Sequence, residues 1–316
     1  MVQEIAMALL PVFFVMALGY ASGRTKLIDN RDIGGLNTLV MQIALPISLF
    51  AILASSKRSD VLSHWSMALI VLVVMTVVYA GVYVLQRRVY RMGRGDAAIQ
   101  AITVAFPNTA AVGLPLADSV LGQTGGLAVA VSLAVGSIVL SPITIVLLER
   151  EKAKGASDAS GPNHVLRHAI AVSLRKPIVI GPLAGLAWTL AGLPFPALVD
   201  ATLDEIGAVT GGLALFLTGL VLSAQRIRVT GEVLVGSLLS IVVRPAIAIG
   251  IVLAVGVSGA VAQETVLLLA VPSGFFGILL GLGYGKQPDV AGSTLLVSSV
   301  GSIATLAAVI VLLPNL

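Results

Sequence analysis

Residues 105–115 read AFPNTAAVGLP and residues 270–277 read AVPSGFFG. Each stretch interrupts a run of apolar residues, and each does so at a proline. Proline lacks the backbone N–H and clashes with the preceding helical turn, so Pro107 and Pro272 break the helices that carry them. In a hydrocarbon environment the backbone groups freed at such a break must find partners, which places them against protein or against a cavity. Interrupted hydrophobic segments at corresponding positions of two halves of a chain point to the binding site of a secondary transporter. Everything else in the sequence is arranged around these two positions.

The surrounding composition is that of a membrane protein. The chain has 316 residues, 57% of them hydrophobic and 11% charged, with a mean hydropathy of +1.04. Soluble domains carry about 25% charged residues. Stretches of about 20 apolar residues fall at roughly 3–22, 34–54, 64–86, 97–121, 125–148, 174–191, 205–223, 231–256, 264–284 and 290–313. The first of these is long enough to span and has no cleavage site, so it reads as a span and not a secretory signal. The polar segment EREKAKGASDASGPNHVLRH, residues 149–168, reads as a flexible linker that parts ten spans into five and five. An odd number of spans per half makes the second half enter from the opposite face, which predicts an inverted repeat. The spacing agrees: Pro11 and Pro177 each open a half, as Pro107 and Pro272 each break one.

Lys and Arg in short loops set orientation. With the amino terminus outside, the cytoplasmic loops hold Arg24, Lys26 and Arg31, then Arg87, Arg88, Arg91 and Arg94, then Arg150, Lys152, Lys154, Arg167, Arg175 and Lys176, then Arg226 and Arg228, then Lys286. Lys57 and Arg58 fall outside, and Arg244 lies within a span. Both termini are therefore expected outside. The net charge of +4 is accounted for by this loop bias and gives no reason to invoke nucleic acid. The chain has no cysteine, so disulfides and thiolate metal sites are excluded.

The candidate substrate-binding residues cluster at the breaks. The second half of the fourth span would open at Asn108 and Thr109, and that of the ninth at Ser273, followed by Gly274 and Phe275. Asn and Ser cap helix starts, and glycine lets backbone approach a ligand. Helix amino termini attract anions, so two of them meeting from opposite directions would suit an anion with two carboxylates. Arg244 has two readings that stay open: a counter-charge for that anion, or a donor to carbonyls freed by Pro245 or by a broken helix. Asn37 and Gln42, five residues apart in the second span, either face the site or hydrogen-bond a neighbouring helix. Asp118, Glu264 and Asp289 lie near span ends, where interfacial solvation or pairing with a helix dipole explains them more simply than proton relay. His64, His164 and His168 lie near loops, which speaks against a metal site. No nucleophile–base motif is visible, so an enzyme is not expected.

The segments FPNTAAVGLPL (106–116), VPSGFFG (271–277), RKPIVIGPLAGLAWTLAG (175–192), GGLALFLTGLVLSAQ (211–225) and YGKQPDVAGSTLLVSSVGS (284–302) occur in the order found in the auxin efflux carrier family, which the chain resembles over nearly its whole length. It is similar to the compact bacterial members linked to malonate, malate or oxalate transport, and it lacks the long central loop of many plant PIN carriers.

The resemblance implies an all-α fold of ten transmembrane helices in a 5+5 inverted repeat, with spans four and nine crossing at Pro107 and Pro272. It implies a scaffold from residues 1–56 and 174–228, a mobile transport part from 57–148 and 229–316, and a cytoplasmic linker over 149–173. It also implies a homodimer and an elevator-type carrier in the bacterial plasma membrane. The resemblance assigns Asn108 to the crossover asparagine. PSGFFG departs from the auxin carriers' pattern, which places indole specificity in doubt. The expected substrate is a small dicarboxylate, malonate first and malate or oxalate next. No cofactor is expected, and a proton or sodium ion could couple. The alternatives are an auxin-like or monocarboxylate exporter, or a channel or sensor on the same fold.

Overall fold

The computed structural model describes residues 2–30, 32–122, 125–154, 167, 170–172, 174–286 and 288–316. Most of the expected linker, 155–166, lies outside the described residues, as do His164, His168 and Arg31. The described chain is helical throughout. Its principal helices are α1 (Val2–Arg24), α2 (Gly34–Ser55), α3 (Trp65–Arg88), α4 (Arg94–Ala105), α5 (Thr109–Leu121) and α6 (Gly125–Lys154). They continue as α7 (Pro177–Leu190), α8 (Ala197–Ala224), α9 (Gly231–Val255), α10 (Ala260–Ala270), α11 (Phe276–Gly283) and α12 (Asp289–Leu312).

Seven of these are long and apolar enough to cross a membrane: α1, α2, α3, α6, α8, α9 and α12, the first counted from Ala6 and the last continuing to Asn315. The other three expected spans are shorter pieces. The fourth and ninth divide into α4 with α5 and α10 with α11. The sixth, α7, has 14 residues. At 1.5 Å per residue it rises about 21 Å, less than a hydrocarbon core of about 30 Å. Two boundaries differ from the hydropathy reading. Helix α6 runs to Lys154, past the expected linker start at 149, and α8 begins at Ala197, eight residues before the expected 205. Polar residues such as Glu151, Asp200 and Asp204 lower the hydropathy there without ending the helix.

Prolines shape the helices in a recurrent way. Three π-helical turns, Leu39–Ala44, Thr109–Gly113 and Leu239–Val243, each end two residues before a proline: Pro46, Pro115 and Pro245. The wider turn accommodates the ring and the missing N–H, whereas Pro11, Pro142 and Pro182 lie inside α-helices without such a turn.

Close packing rests on small residues. Helix α1 lies against α8 so tightly that a Cβ on Gly19 would meet the Phe216 carbonyl oxygen at 2.1 Å, and one on Gly219 would meet the Met16 oxygen at 1.9 Å. Helix α7 packs against α2 in the same manner through Gly181 and Gly185. Helix α3 packs against α4, α6 and α9, and α12 against α9 and α10.

One polar contact ties His64, the residue before α3, to α10. His64 Nε2 lies 2.8 Å from Glu264 Oε2, and His64 Nδ1 lies 2.5 Å from the Asp60 carbonyl. A carbonyl only accepts, so Nδ1 donates to Asp60, and Nε2 faces the Glu264 carboxyl group. Glu264 is 1% exposed. This corrects the expectation that Glu264 is solvated at an interface.

Candidate substrate site at the two breaks

The two breaks meet. Pro107 and Ser273 pair as an antiparallel bridge, the N–H of Asn108 donates to the Pro272 carbonyl at 2.9 Å, and the N–H of Gly274 donates to the Thr103 carbonyl at 3.0 Å. The reason is bookkeeping of backbone groups. In an unbroken helix the Thr103 carbonyl would accept from residue 107, but Pro107 has no N–H. Gly274 of the other break supplies the donor instead. Only glycine fits there, because a Cβ on Gly274 would lie 2.3 Å from the Phe106 carbonyl oxygen.

Arg244 satisfies the carbonyls that remain. The Val104 and Leu269 carbonyls would ordinarily accept from the N–H groups of Asn108 and Ser273. Those N–H groups go elsewhere, to Pro272 O and to Ser298 Oγ at 3.2 Å. Arg244 Nε donates to Leu269 O at 2.8 Å, Nη1 donates to Val104 O, and Nη2 donates to Val271 O and, at 3.5 Å, to Pro272 O. Its side chain is wholly buried. Of the two readings open in the sequence, the geometry matches the donor to freed carbonyls, and both breaks share the one guanidinium.

Asn108 does something other than cap. It precedes the helix start with φ −74° and ψ 55°, yet its side chain makes no cap hydrogen bond. Both amide atoms are buried and lack a protein partner, and the residue is 2% exposed. Buried polar groups are nearly always paired, and among the described residues nothing pairs with this amide. The Thr103 and Ser273 hydroxyls are buried and unpartnered as well. Ser273 is not the cap of the second half-helix either. That helix starts at Phe276 with Phe275 before it, later than the sequence suggested, because Ser273 pairs with Pro107 and the Gly274 N–H is given to the Thr103 carbonyl.

A cavity of about 20 Å3 lies between the breaks, room for about one water molecule. Asn108, Thr109, Gly274 and Phe275 line it, with Phe106, Pro107, Phe276, Met41, Leu133 and Ile178. The Phe106 and Phe276 rings lie 5.6 Å apart. Asn37 and Gln42 are not among the lining residues: Gln42 is exposed, and Asn37 is half-buried with its Oδ1 unpartnered. Met41 represents the second span instead, turned inward by the π-helical stretch Leu39–Ala44, and Ile178 comes from the start of α7. Pro46 was the one sequence signal for that turn; nothing in the sequence marked Leu133. A larger cavity, about 870 Å3, opens at Tyr20, Arg24, Lys26, Asn30 and Arg226 and shares no residue with the breaks.

The membrane transport protein family matches residues 4–310. The uncharacterized transporter YfdV of Escherichia coli K12 is 25% identical over 299 residues, 94% of each chain. A protein of Rhizobium meliloti named "Putative malonate transporter" is 25% identical over 318 residues, 98% of this chain and 96% of that one. The mouse lysosomal cholesterol signaling protein is 27% identical over 220 residues, 67% of this chain but 25% of its own.

Proposed function

Because the chain belongs to the membrane transport protein family, we propose that it is a secondary carrier of small carboxylate anions, with a short dicarboxylate such as malonate as its substrate and malate or oxalate next. The family is one of transporters, and its members of known source compared above include bacterial transporters. The observation that carries the substrate reading is the unpartnered, buried Asn108 amide beside two helix starts, α5 and α11. The first N–H groups of each helix have no intrahelical acceptor, and each start carries about half a positive charge. A dianion uses both. The similarity to a protein named for malonate transport points the same way.

In this reading the meeting of the two breaks is the crossover of a 5+5 inverted repeat, and α1, α2, α7 and α8 form a scaffold past which the remaining helices carry the site. Helices α1 with α8, and α2 with α7, make extensive mutual contacts that fit this division. A cavity of about 20 Å3 is too small for a dicarboxylate, so loading requires Met41 and Ile178 to part from the breaks, which relative sliding of the two groups would accomplish. The carrier would lie in the bacterial plasma membrane with both termini outside, as a homodimer joined through the scaffold.

Competition binding on the purified protein near pH 7 tests the substrate class. Malonate should bind at least tenfold more tightly than propionate, a difference of about 1.4 kcal/mol. Equal affinity, or preference for an indole acid, would overturn the dicarboxylate reading. The partial likeness to a signaling protein makes a sensor the alternative. Trans-stimulated exchange in proteoliposomes belongs to a carrier alone and separates the two.

A further inference from the structure

Arg244 is spent on backbone carbonyls of both breaks, so a side-chain cation that adds to the two helix starts has to come from elsewhere. Lys176 stands where one is wanted. Its Nζ sits 5.4 Å from the centroid of the Phe276 ring, and Phe276 lines the cavity between the breaks. Ile178, two residues further on, lines the same cavity. Lys176 is half-buried, and among the described residues no carboxylate pairs with it. Lys286, by contrast, is held by Asp96 at 2.9 Å and Glu151 at 2.7 Å.

Its position is also electrostatically odd. Lys176 is the residue before the first turn of α7, where the helix dipole presents positive charge and disfavours a cation. The half-buried ammonium of this helix-opening residue rests over an aromatic ring and has no carboxylate partner among the described residues. We propose that Lys176 is the charge-selecting residue of the candidate site: its ammonium leaves the Phe276 ring to pair with the second carboxylate of a bound dicarboxylate beside the start of α11, while the Asn108 amide and the start of α5 hold the first. The proposal rests on the carboxylate-carrier reading and adds to it the residue that tells a dianion from a monoanion. Lys176 immediately precedes α7 and the breaks lie elsewhere, so such a pairing would also tie substrate occupancy to the contact between the two helix groups.

The experiment measures malonate and propionate affinities for the full-length purified protein and for Lys176→Gln, Lys176→Arg and Arg175→Gln, with monodisperse elution as the folding control. The expected result is a tenfold or greater loss of malonate affinity in Lys176→Gln, with propionate changed less than threefold. Lys176→Arg should keep the preference, and Arg175→Gln, which removes the adjacent exposed cation, should leave it unmoved. An unchanged malonate preference in Lys176→Gln, or an equal loss in Arg175→Gln, overturns the assignment while leaving the carrier reading intact. Wild-type protein that binds neither acid overturns both. Amine modification of Lys176 in the wild type, read by mass spectrometry, removes dependence on the variant's folding. Malonate should protect it and propionate should not; absence of protection by malonate also overturns the proposal.

Discussion

The backbone N–H of Asn108 donates to the carbonyl of Pro272 at 2.9 Å, so residues 164 positions apart complete one another's interrupted helices. A break that would be costly alone becomes tolerable when it faces a second one, because the donors and acceptors released by Pro107 and Pro272 find each other. What neither break can satisfy, Arg244 does.

Arg244→Gln should lower stability sharply, and Arg244→Lys nearly as much. The guanidinium serves carbonyls in three directions, which a single ammonium cannot reproduce. Each buried carbonyl left unpaired costs about 1–3 kcal/mol. Thermal unfolding of the purified protein should show a large drop in both variants before any ligand is added. A variant that keeps wild-type stability and loses only anion binding would return Arg244 to the role of counter-charge.

Asn108→Ala should behave in the opposite manner. The side chain makes no protein hydrogen bond, so there is no capping energy to lose. Unfolding temperature should stay within about 3 °C of wild type or rise, since a desolvated amide has been removed, while malonate affinity falls at least tenfold. Binding at wild-type strength would exclude Asn108 from the site.

Gly274→Ala should disrupt the junction, since its Cβ would sit 2.3 Å from the Phe106 oxygen. Gly283→Ala is the matched control, because nothing lies within 4 Å of a Cβ there. Comparing the yields of folded protein from the two variants decides the matter, and equal yields would contradict the packing described.

The pair His64 and Glu264 should be strongly non-additive. Removing one partner strands a buried polar or charged group at a cost of about 3–5 kcal/mol. Glu264→Leu with His64→Leu should recover much of the loss from either change alone, as measured by thermal unfolding of all four proteins. Additive losses would mean that the 2.8 Å contact contributes no coupling.

Orientation is testable through the absence of cysteine in the chain. Asp158→Cys should resist an impermeant thiol reagent in intact cells and react after permeabilisation, because the basic loops are expected to face the cytoplasm. Labelling in intact cells would reverse the topology.

Hydropathy and proline positions were enough to identify a helical membrane protein and to locate the breaks in its helices. Hydropathy is additive along the chain, and proline's missing N–H acts at its own position, so both are legible without knowing any neighbour. The motifs likewise placed it in its family. What the sequence left undecided were the partners of each released group. Arg244 could have served an anion or a carbonyl; only folding brings Val104 and Leu269 to it, from two separate helices. Asn108 and Ser273 have the chemistry of caps, yet bridging between the breaks holds both residues in other conformations and leaves their side chains free. Asn37 and Gln42 were eligible by polarity, but the π-helical turn before Pro46 presents Met41 to the site instead. Lys176 read as one more cytoplasmic cation until α7 set it over Phe276, a ring 100 residues distant in the chain. Contacts between residues so far apart depend on how helices pack, and packing is decided by surface shape at Gly19, Gly219 and Gly274, which no local pattern encodes.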